Sequence, residues 1–282
     1  MGRTVVLGGV RLELHLKAPR VPGPGEAVAV PGQWQVAGRG LAWARALGRA
    51  GLDPVLLVQV GDDAAGRVVE GDLRDRALDV RVARRRGTGT ATAVAVTTRD
   101  GGFCWEVEGT AGSEDPARVV GQLESLDAVG GIEWLVLHGE TRREANLVAA
   151  LWVKDHGGQV ALDPEPSGRV GEELVAVADY LLPSPAALGW LCRARPPKTR
   201  EETTLLAEWV LDRHRGLSGL VVSKVAGSVL VATRTGHWWH PLPVPAGDDL
   251  DVWARVVAAR VRGQGWEAAL QSAGSGAPPS GA

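Results

Sequence analysis

The acidic run Asp248-Asp249-Leu250-Asp251 follows Gly247 directly. Carboxylates set this close can supply a general base, or they can place negative charge at the positive end of a helix. Asp249 to Val261 is amphipathic, so the plain expectation is a helix capped by Asp248 or Asp249, with Asp251 in its acidic first turn. Other reactive arrangements fail on spacing. The chain contains no Gly-Lys dipeptide, which excludes a Walker-type phosphate loop. Gly38-Arg39-Gly40 has the outline of a dinucleotide fingerprint, but Trp43 stands where the third glycine is needed, and the first strand leads into another strand instead of a helix. There is no G-x-S-x-G elbow. His237 and His240 flank Trp238-Trp239 in a hairpin and read as surface residues, so no metal site is assigned. Cys104 and Cys192 lie far apart with no zinc spacing and read as buried free thiols in a reducing compartment.

At 282 residues the chain has room for one large α/β domain, expected over 1–273, with a Gly/Pro/Ser-rich tail at 274–282 expected to be disordered. Apolar residues at 45% and charged residues at 23% suit a soluble protein with a normal core. A formal charge of −2 argues against a dedicated nucleic-acid or anionic-membrane binder. The opening Met1-Gly2-Arg3-Thr4 lacks a signal peptide's long apolar core, and nothing approaches the ~18 apolar residues of a membrane span, so a cytoplasmic location is expected.

The elements that must position these residues follow from periodicity. Val5-Val6-Leu7 before Gly8-Gly9 reads as a buried strand, Leu12, Leu14 and Leu16 as a half-exposed one, and Ala27 to Val36 as a third. Helical spacing over Arg39–Arg49 precedes an apolar strand at Val55–Val60 and a helix at Ala64–Arg76. Thr92–Thr97 and Cys104–Val107 flank Asp100-Gly101-Gly102, a hairpin signal. Strands at Trp134–Leu137, Gln159–Leu162 and Tyr180–Leu182 then alternate with helices near Pro116–Leu126, Arg142–His156 and Glu172–Val177. A helix at Arg200–Arg213, a strand at Leu220–Val222, a hairpin through Val229–Ala232 and His237–His240, and a last helix at Trp266–Ala273 close the order. Such alternation implies a mostly parallel sheet covered on both faces. Residues 11–36 and 90–109 do not fit it and are expected to form a small separate sheet, a lid over a cleft.

Several landmarks arrive in order: Val5-Val6-Leu7-Gly8-Gly9, Arg11-Leu12-Glu13, Pro22-Gly23-Pro24-Gly25-Glu26, Val36-Ala37-Gly38-Arg39-Gly40-Leu41-Ala42-Trp43-Ala44, Val60-Gly61-Asp62-Asp63-Ala64-Ala65-Gly66, the Asp100-Gly101 hairpin, and Asp163-Pro164-Glu165-Pro166 before the segment leading to Asp251. Together, over residues 4–273, they resemble the ribokinase (PfkB) family of sugar and nucleoside kinases. The resemblance implies a three-layer α/β/α sandwich with a small β-sheet lid, a sugar or nucleoside under the lid, Mg-ATP along the body, and a possible homodimer through the lid. It places Glu13, Gly38, Arg39 and Gly40 on the substrate side and Ser223, Lys224 and Gly227 on the nucleotide side. Asp251 falls on the catalytic base, and Gly247, Asp248, Asp249 and Leu250 fall on the segment whose backbone N–H groups form the family's anion hole. A shifted register would make Asp248 the base.

The departures are chemical. The family's Gly-Ala-Gly anion hole becomes Asp248-Asp249-Leu250. One carboxylate ~6 Å from a phosphate charge opposes binding by ~3 kcal/mol at an effective dielectric of ~20, over a hundredfold in rate. The asparagine expected to hold sugar hydroxyls is Ala42, the lid's Gly-Ala-Asn is Gly109-Thr110-Ala111, the Asn-x-x-Glu region is Ser184-Pro185-Ala186-Ala187, the Thr-x-Gly is Ser223-Lys224-Val225, and the first Asn-x-Asp pair is Arg11 with Glu13. Two readings stay open: an ATP-dependent kinase with Asp251 as base, or a catalytically inactive kinase-fold protein that binds a small ligand or a protein partner.

Overall fold

The computed structural model describes residues 2–76, 78–107, 109, 114–165, 168–242 and 249–274. Its strands are β1 (Arg3–Leu7), β2 (Arg11–Lys17), β3 (Gly32–Ala37), β4 (Val55–Gly61), β5 (Asp79–Arg85), β6 (Thr92–Thr98), β7 (Gly101–Val107), β8 (Ile132–His138), β9 (Gln159–Asp163), β10 (Tyr180–Leu181), β11 (Gly219–Val225), β12 (Ser228–Thr233) and β13 (Gly236–Pro241). Its helices are α1 (Arg39–Arg49), α2 (Ala64–Arg74), α3 (Pro116–Asp127), α4 (Arg143–Asp155), α5 (Glu172–Val177), α6 (Pro185–Leu191), α7 (Arg200–Arg213), α8 (Asp249–Val261) and α9 (Trp266–Gly274).

A large sheet runs in the order β13-β12-β11-β10-β9-β8-β1-β4-β5, parallel from β11 to β5 and antiparallel at β12 and β13. Its central strands are apolar on both faces, as a covered parallel sheet requires. Val6, Leu56 and Val58 point into a core shared with Leu41, Leu47 and Val257 of α1 and α8. Their neighbours Val5, Leu7 and Leu57 point the other way, onto Leu123 of α3, Ala149 of α4 and Val210 of α7. Each fully buried leucine contributes about 1.5–3 kcal/mol, so the two cores hold the layers together without disulfides. Cys104 is exposed and Cys192 half-buried, both free, which corrects the expectation that both thiols are buried. Among the described residues no helix is long and apolar enough to cross a membrane.

The second sheet, β3-β2-β6-β7, is the lid. Its register puts Arg11, Glu13 and His15 beside Gln35, Ala93, Cys104 and Glu106 on one face, and Leu14 beside Trp34, Val94 and Trp105 on the other. The Gly61–Gly66 motif has a structural purpose here. Asp63 caps α2 through the Gly66 N–H (2.7 Å) and accepts from both the backbone and the hydroxyl of Thr90 (2.8 and 2.7 Å), fixing the approach to β6.

Three local expectations change. Strand pairing starts at Gly32, not Ala27, because Pro31 has no N–H to give the ladder. Asp79–Arg85 is the edge strand β5, its charges facing outward and Val80 and Val82 against the core. Pro185–Leu191 is helical, capped by Ser184 with Pro185 in the first turn. Trp238 and Trp239 pack against the two cores, so the β13 hairpin contributes structure as well as surface.

Candidate functional site

Strand order reverses between β1 and β8: β1 leads outward to β4 and β5, and β8 to β9, β10 and β11. In open α/β sheets a crevice forms at such a reversal, at the carboxyl ends of the strands. Gly8 and Gly9 end β1 there, and His138, Gly139 and Glu140 end β8. The first turn of α1 packs directly onto this point. A Cβ at Gly38 would lie 2.1 Å from the Gly9 carbonyl oxygen, and one at Gly40 would lie 2.2 Å from that of Gly8. Only glycine permits that approach, and Gly38 also has φ 131°.

Arg39, between them, is held from two sides. Its backbone N–H donates to Glu140 Oε2 (2.8 Å), and its guanidinium donates to both oxygens of Asp163 at 2.5 and 3.0 Å. Asp163, at the end of β9, is fully buried and also accepts from Trp43 Nε1 (2.7 Å) and the Glu165 N–H (3.0 Å). Burial pushes its carboxyl up to about 6 against the pull of Arg39 and these donors. Burial opposes charge on Arg39, but Asp163, with Glu165 and Glu140 behind it, holds the guanidinium above its ordinary pKa.

The lid closes on this centre through charge. Arg11 donates to Glu13 (2.6 Å) within the lid and to Glu140 (2.8 Å) on the body, and lies 3.6 Å from Glu106. Glu106 in turn lies 3.6 Å from Arg169, in the connection between β9 and α5. Burial works against the Glu13 carboxylate, yet His15 and Arg11 pull its pKa down. Glu140 is likewise held low by His138 and Arg11 despite burial. His138 is fully buried; its Nδ1 accepts from the Glu140 N–H (3.2 Å), and its Nε2 has no hydrogen-bond partner among the described residues. Burial lowers it to about 4, so it is uncharged at neutral pH.

The amino end of α8 is arranged differently. Asp249 accepts from the buried Ser223 hydroxyl (2.7 Å) and lies 3.5 Å from Lys224 Nζ. Asp251 takes two donors from Arg49 (3.0 and 2.6 Å), at the far end of α1 from Arg39 and about 15 Å along that helix at 1.5 Å per residue. Leu250 is buried, and Trp253 stacks on Trp43 with centroids 6.2 Å apart. Gly227, at φ 71°, supplies the turn between β11 and β12. Gly247, Asp248, Thr110, Ala111, Pro166 and the tail from 275 lie outside the described residues.

Of the residues singled out in the sequence, Glu13, Gly38, Arg39 and Gly40 therefore meet in one crevice. Ser223, Lys224 and Asp249 meet in a second group, and Asp251 is drawn toward Arg49 away from the first. Sequence reasoning passed over Glu140, His138, Trp43 and the Arg11 bridge. The available signal was position: His138 and Asp163 are the last residues of β8 and β9, where the strand order reverses.

A profile described as pfkB family carbohydrate kinase matches residues 3–273. The chain belongs to that family. It is 23% identical over 249 residues to a bifunctional ribokinase/ribose-5-phosphate isomerase A of Fructilactobacillus sanfranciscensis, covering 87% of this chain but only 45% of that protein. Among solved structures, Arabidopsis thaliana ribokinase complexed with ribose and ATP superposes with a TM-score of 0.83 at 20% identity, over 96% of this chain and 90% of that one. Ribokinase from Thermotoga maritima gives 0.78 at 19% identity, over 97% and 91%. These likenesses establish a ribokinase-like α/β fold with a lid for this pfkB family member.

Magnesium and ATP would be expected from the family, and Asp249 is the described residue whose charge fits a phosphate poorly. The Asp249 carboxylate stands at the start of α8, where phosphate charge would be held, and it already engages Lys224 and Ser223. Among the described residues no group of three or more His, Cys, Asp or Glu is placed to hold a metal ion.

Proposed function

We propose that this pfkB family member binds a small polyhydroxylated molecule of the sugar or nucleoside class beneath its lid, and that its phosphoryl transfer is slowed at least a hundredfold by its own acidic residues. One observation carries this reading: Asp249 sits at the amino end of α8 and neutralises Lys224. At ~6 Å and an effective dielectric of ~20 it opposes each phosphate charge by ~3 kcal/mol. On the lid side, the polar groups of Glu13, Arg11 and Glu140 offer the donors and acceptors that hydroxyl groups require. The test is calorimetric titration with ribose, adenosine and Mg-ATP, followed by turnover assays. Sugar or nucleoside binding without magnesium-dependent micromolar ATP binding is expected. Tight Mg-ATP binding with turnover abolished by Asp251→Ala would sink the proposal.

That last outcome would favour a second reading, an ATP-dependent sugar or nucleoside kinase with Asp251 as base and Ser223, Lys224 and Gly227 beside the nucleotide. It draws support from the exposure of the Arg49–Asp251 pair, whose side chains are 59% and 26% accessible. Such a pair is worth about 0.2–1 kcal/mol, so a substrate hydroxyl could displace Arg49. On either reading a homodimer is expected through the apolar lid face, where Trp34 and Trp105 are 57% and 53% exposed. Sedimentation of wild type and Trp34→Glu tests it, a monomeric wild type being the adverse result.

A further inference from the structure

A second cavity of about 390 Å³ lies among α4, α5, α6 and α7, and none of its lining residues belongs to the lid crevice. Three arginines line it: Arg143, Arg193 and Arg213. Arg143 pairs with Glu173, and Arg213 lies 3.0 Å from Glu172. Arg193 has neither an ion pair nor a side-chain hydrogen bond among the described residues. With His214 neutral, three guanidinium groups face two carboxylates and leave one positive charge over. Trp190, 41% exposed, offers a flat apolar wall, with Val170 and Leu191 beside it.

The backbone at Arg193 makes the arrangement unusual. It ends α6 in a left-handed turn at φ 52°, with its N–H bonded to the Trp190 carbonyl (3.0 Å) and the Ala194 N–H to that of Gly189 (2.8 Å). Glycine is the favoured residue at this position of such a turn, so an arginine there is locally strained. Its exposed side chain gains no hydrogen bond or ion pair among the described residues in return.

We propose that this cavity is a ligand site for a small molecule bearing one carboxylate or phosphate and an apolar face, with Arg193 binding the anion and Trp190 packing against the face. The ion pairs of Arg143 and Arg213 are solvent-exposed and therefore weak, so both arginines can turn toward an arriving anion. Guanidinium groups hold either anion through paired donors, and a cavity of about 390 Å³ has room for a ring beside them.

The experiment is calorimetric titration of the full chain with phenyl phosphate and with benzoate, using benzyl alcohol as the neutral ring. Saturable binding of at least one anion is expected, with the alcohol roughly tenfold weaker or more. The tighter anion identifies the natural group. Arg193→Gly should weaken binding by roughly tenfold while raising Tm by about 2 °C, because it removes the anion's partner and relieves the turn. Trp190→Ala should weaken both anions together, and Glu172→Gln should tighten them a few-fold by removing a competing carboxylate. Three results would overturn the assignment: no anion binding by about 10 mM, equal binding of benzyl alcohol, or affinity unchanged in Arg193→Gly.

Discussion

The crevice beneath the lid and the amino end of α8 use the same side chains, arginines and carboxylates, in opposite settings. In the crevice Asp163 is fully buried and receives four hydrogen bonds, two of them from Arg39. At α8 the Arg49–Asp251 and Lys224–Asp249 pairs lie open to water. Burial makes the first set structurally decisive, since removing one partner strands the other charge away from solvent. The second set can rearrange at little cost. Of the two regions the crevice is therefore the rigid one, and the amino end of α8 the one that can rearrange.

The contrast can be broken from the buried side first. Asp163→Ala should lower stability by about 3–5 kcal/mol in urea unfolding, because Arg39 and the Trp43 N–H lose their shared acceptor. Asp163→Asn should cost less, since its amide oxygen still accepts from Trp43. A change below about 1 kcal/mol for the alanine variant would mean that the centre is solvated and the contrast false.

The next effect compares two glycines of one helix. Gly40→Ala should destabilise by about 1–3 kcal/mol, because its Cβ would meet the Gly8 carbonyl 2.2 Å away. Gly48→Ala, eight positions on with nothing within 4 Å of its Cβ, should stabilise by about 0.5–1 kcal/mol. Thermal melts of the two variants shifting in the same direction would remove the close approach from the account of the crevice.

A pH profile sharpens the comparison further. Asp163, raised to about 6, keeps its proton in the folded chain after the unfolded chain has released it, so its contribution falls as pH rises from ~4 toward 6. His138, lowered from 6.5 to about 4, acts in reverse: its contribution is complete above 6.5 and is lost as pH falls toward 4. The two slopes oppose each other, while Glu13 and Glu140, both lowered, withdraw stability only as pH falls below the ordinary carboxylate range. Asp163→Asn should therefore unmask a loss of up to about 1.4 kcal/mol per pH unit between pH 6.5 and 4.5, measured as the urea midpoint. A variant as flat as wild type would contradict this assignment.

The smallest effect belongs to the open side. Arg49→Ala should change stability by less than about 1 kcal/mol, and by less still in high salt. It should leave turnover at background on the first functional reading and preserve or raise it on the second.

Most of the fold was legible because its signals are local. The helical spacing of Arg39–Arg49 and Asp249–Val261 matches α1 and α8, and the apolar run at Val55 lies in β4. β5 was missed because an edge strand needs only one apolar face, and Val80 and Val82 alone do not mark it amid arginines. α6 is a two-turn helix whose Ser184-Pro185 start is also a loop signal. The crevice was half legible. Gly38, Arg39, Gly40 and Glu13 stand in recognisable stretches, whereas Glu140 and His138 enter only through the pairing of β8 with β1, a contact across more than a hundred residues. Asp251 illustrates the converse, since position in a motif says nothing of the arginine that binds it.

The lid's strand order has a kinetic consequence. Pairing β2 with β6 joins Leu12 to Thr92, so the small sheet cannot assemble as a local hairpin. About 80 residues, including α1, β4, α2 and β5, must be threaded through the body before that ladder closes, and loop closure of this length is slow. Pairs close in sequence, β4 with β5 and β8 with β9, should therefore form before the β2–β6 ladder. During refolding, amides of β2 and β6 would gain exchange protection after those of β4 and β8.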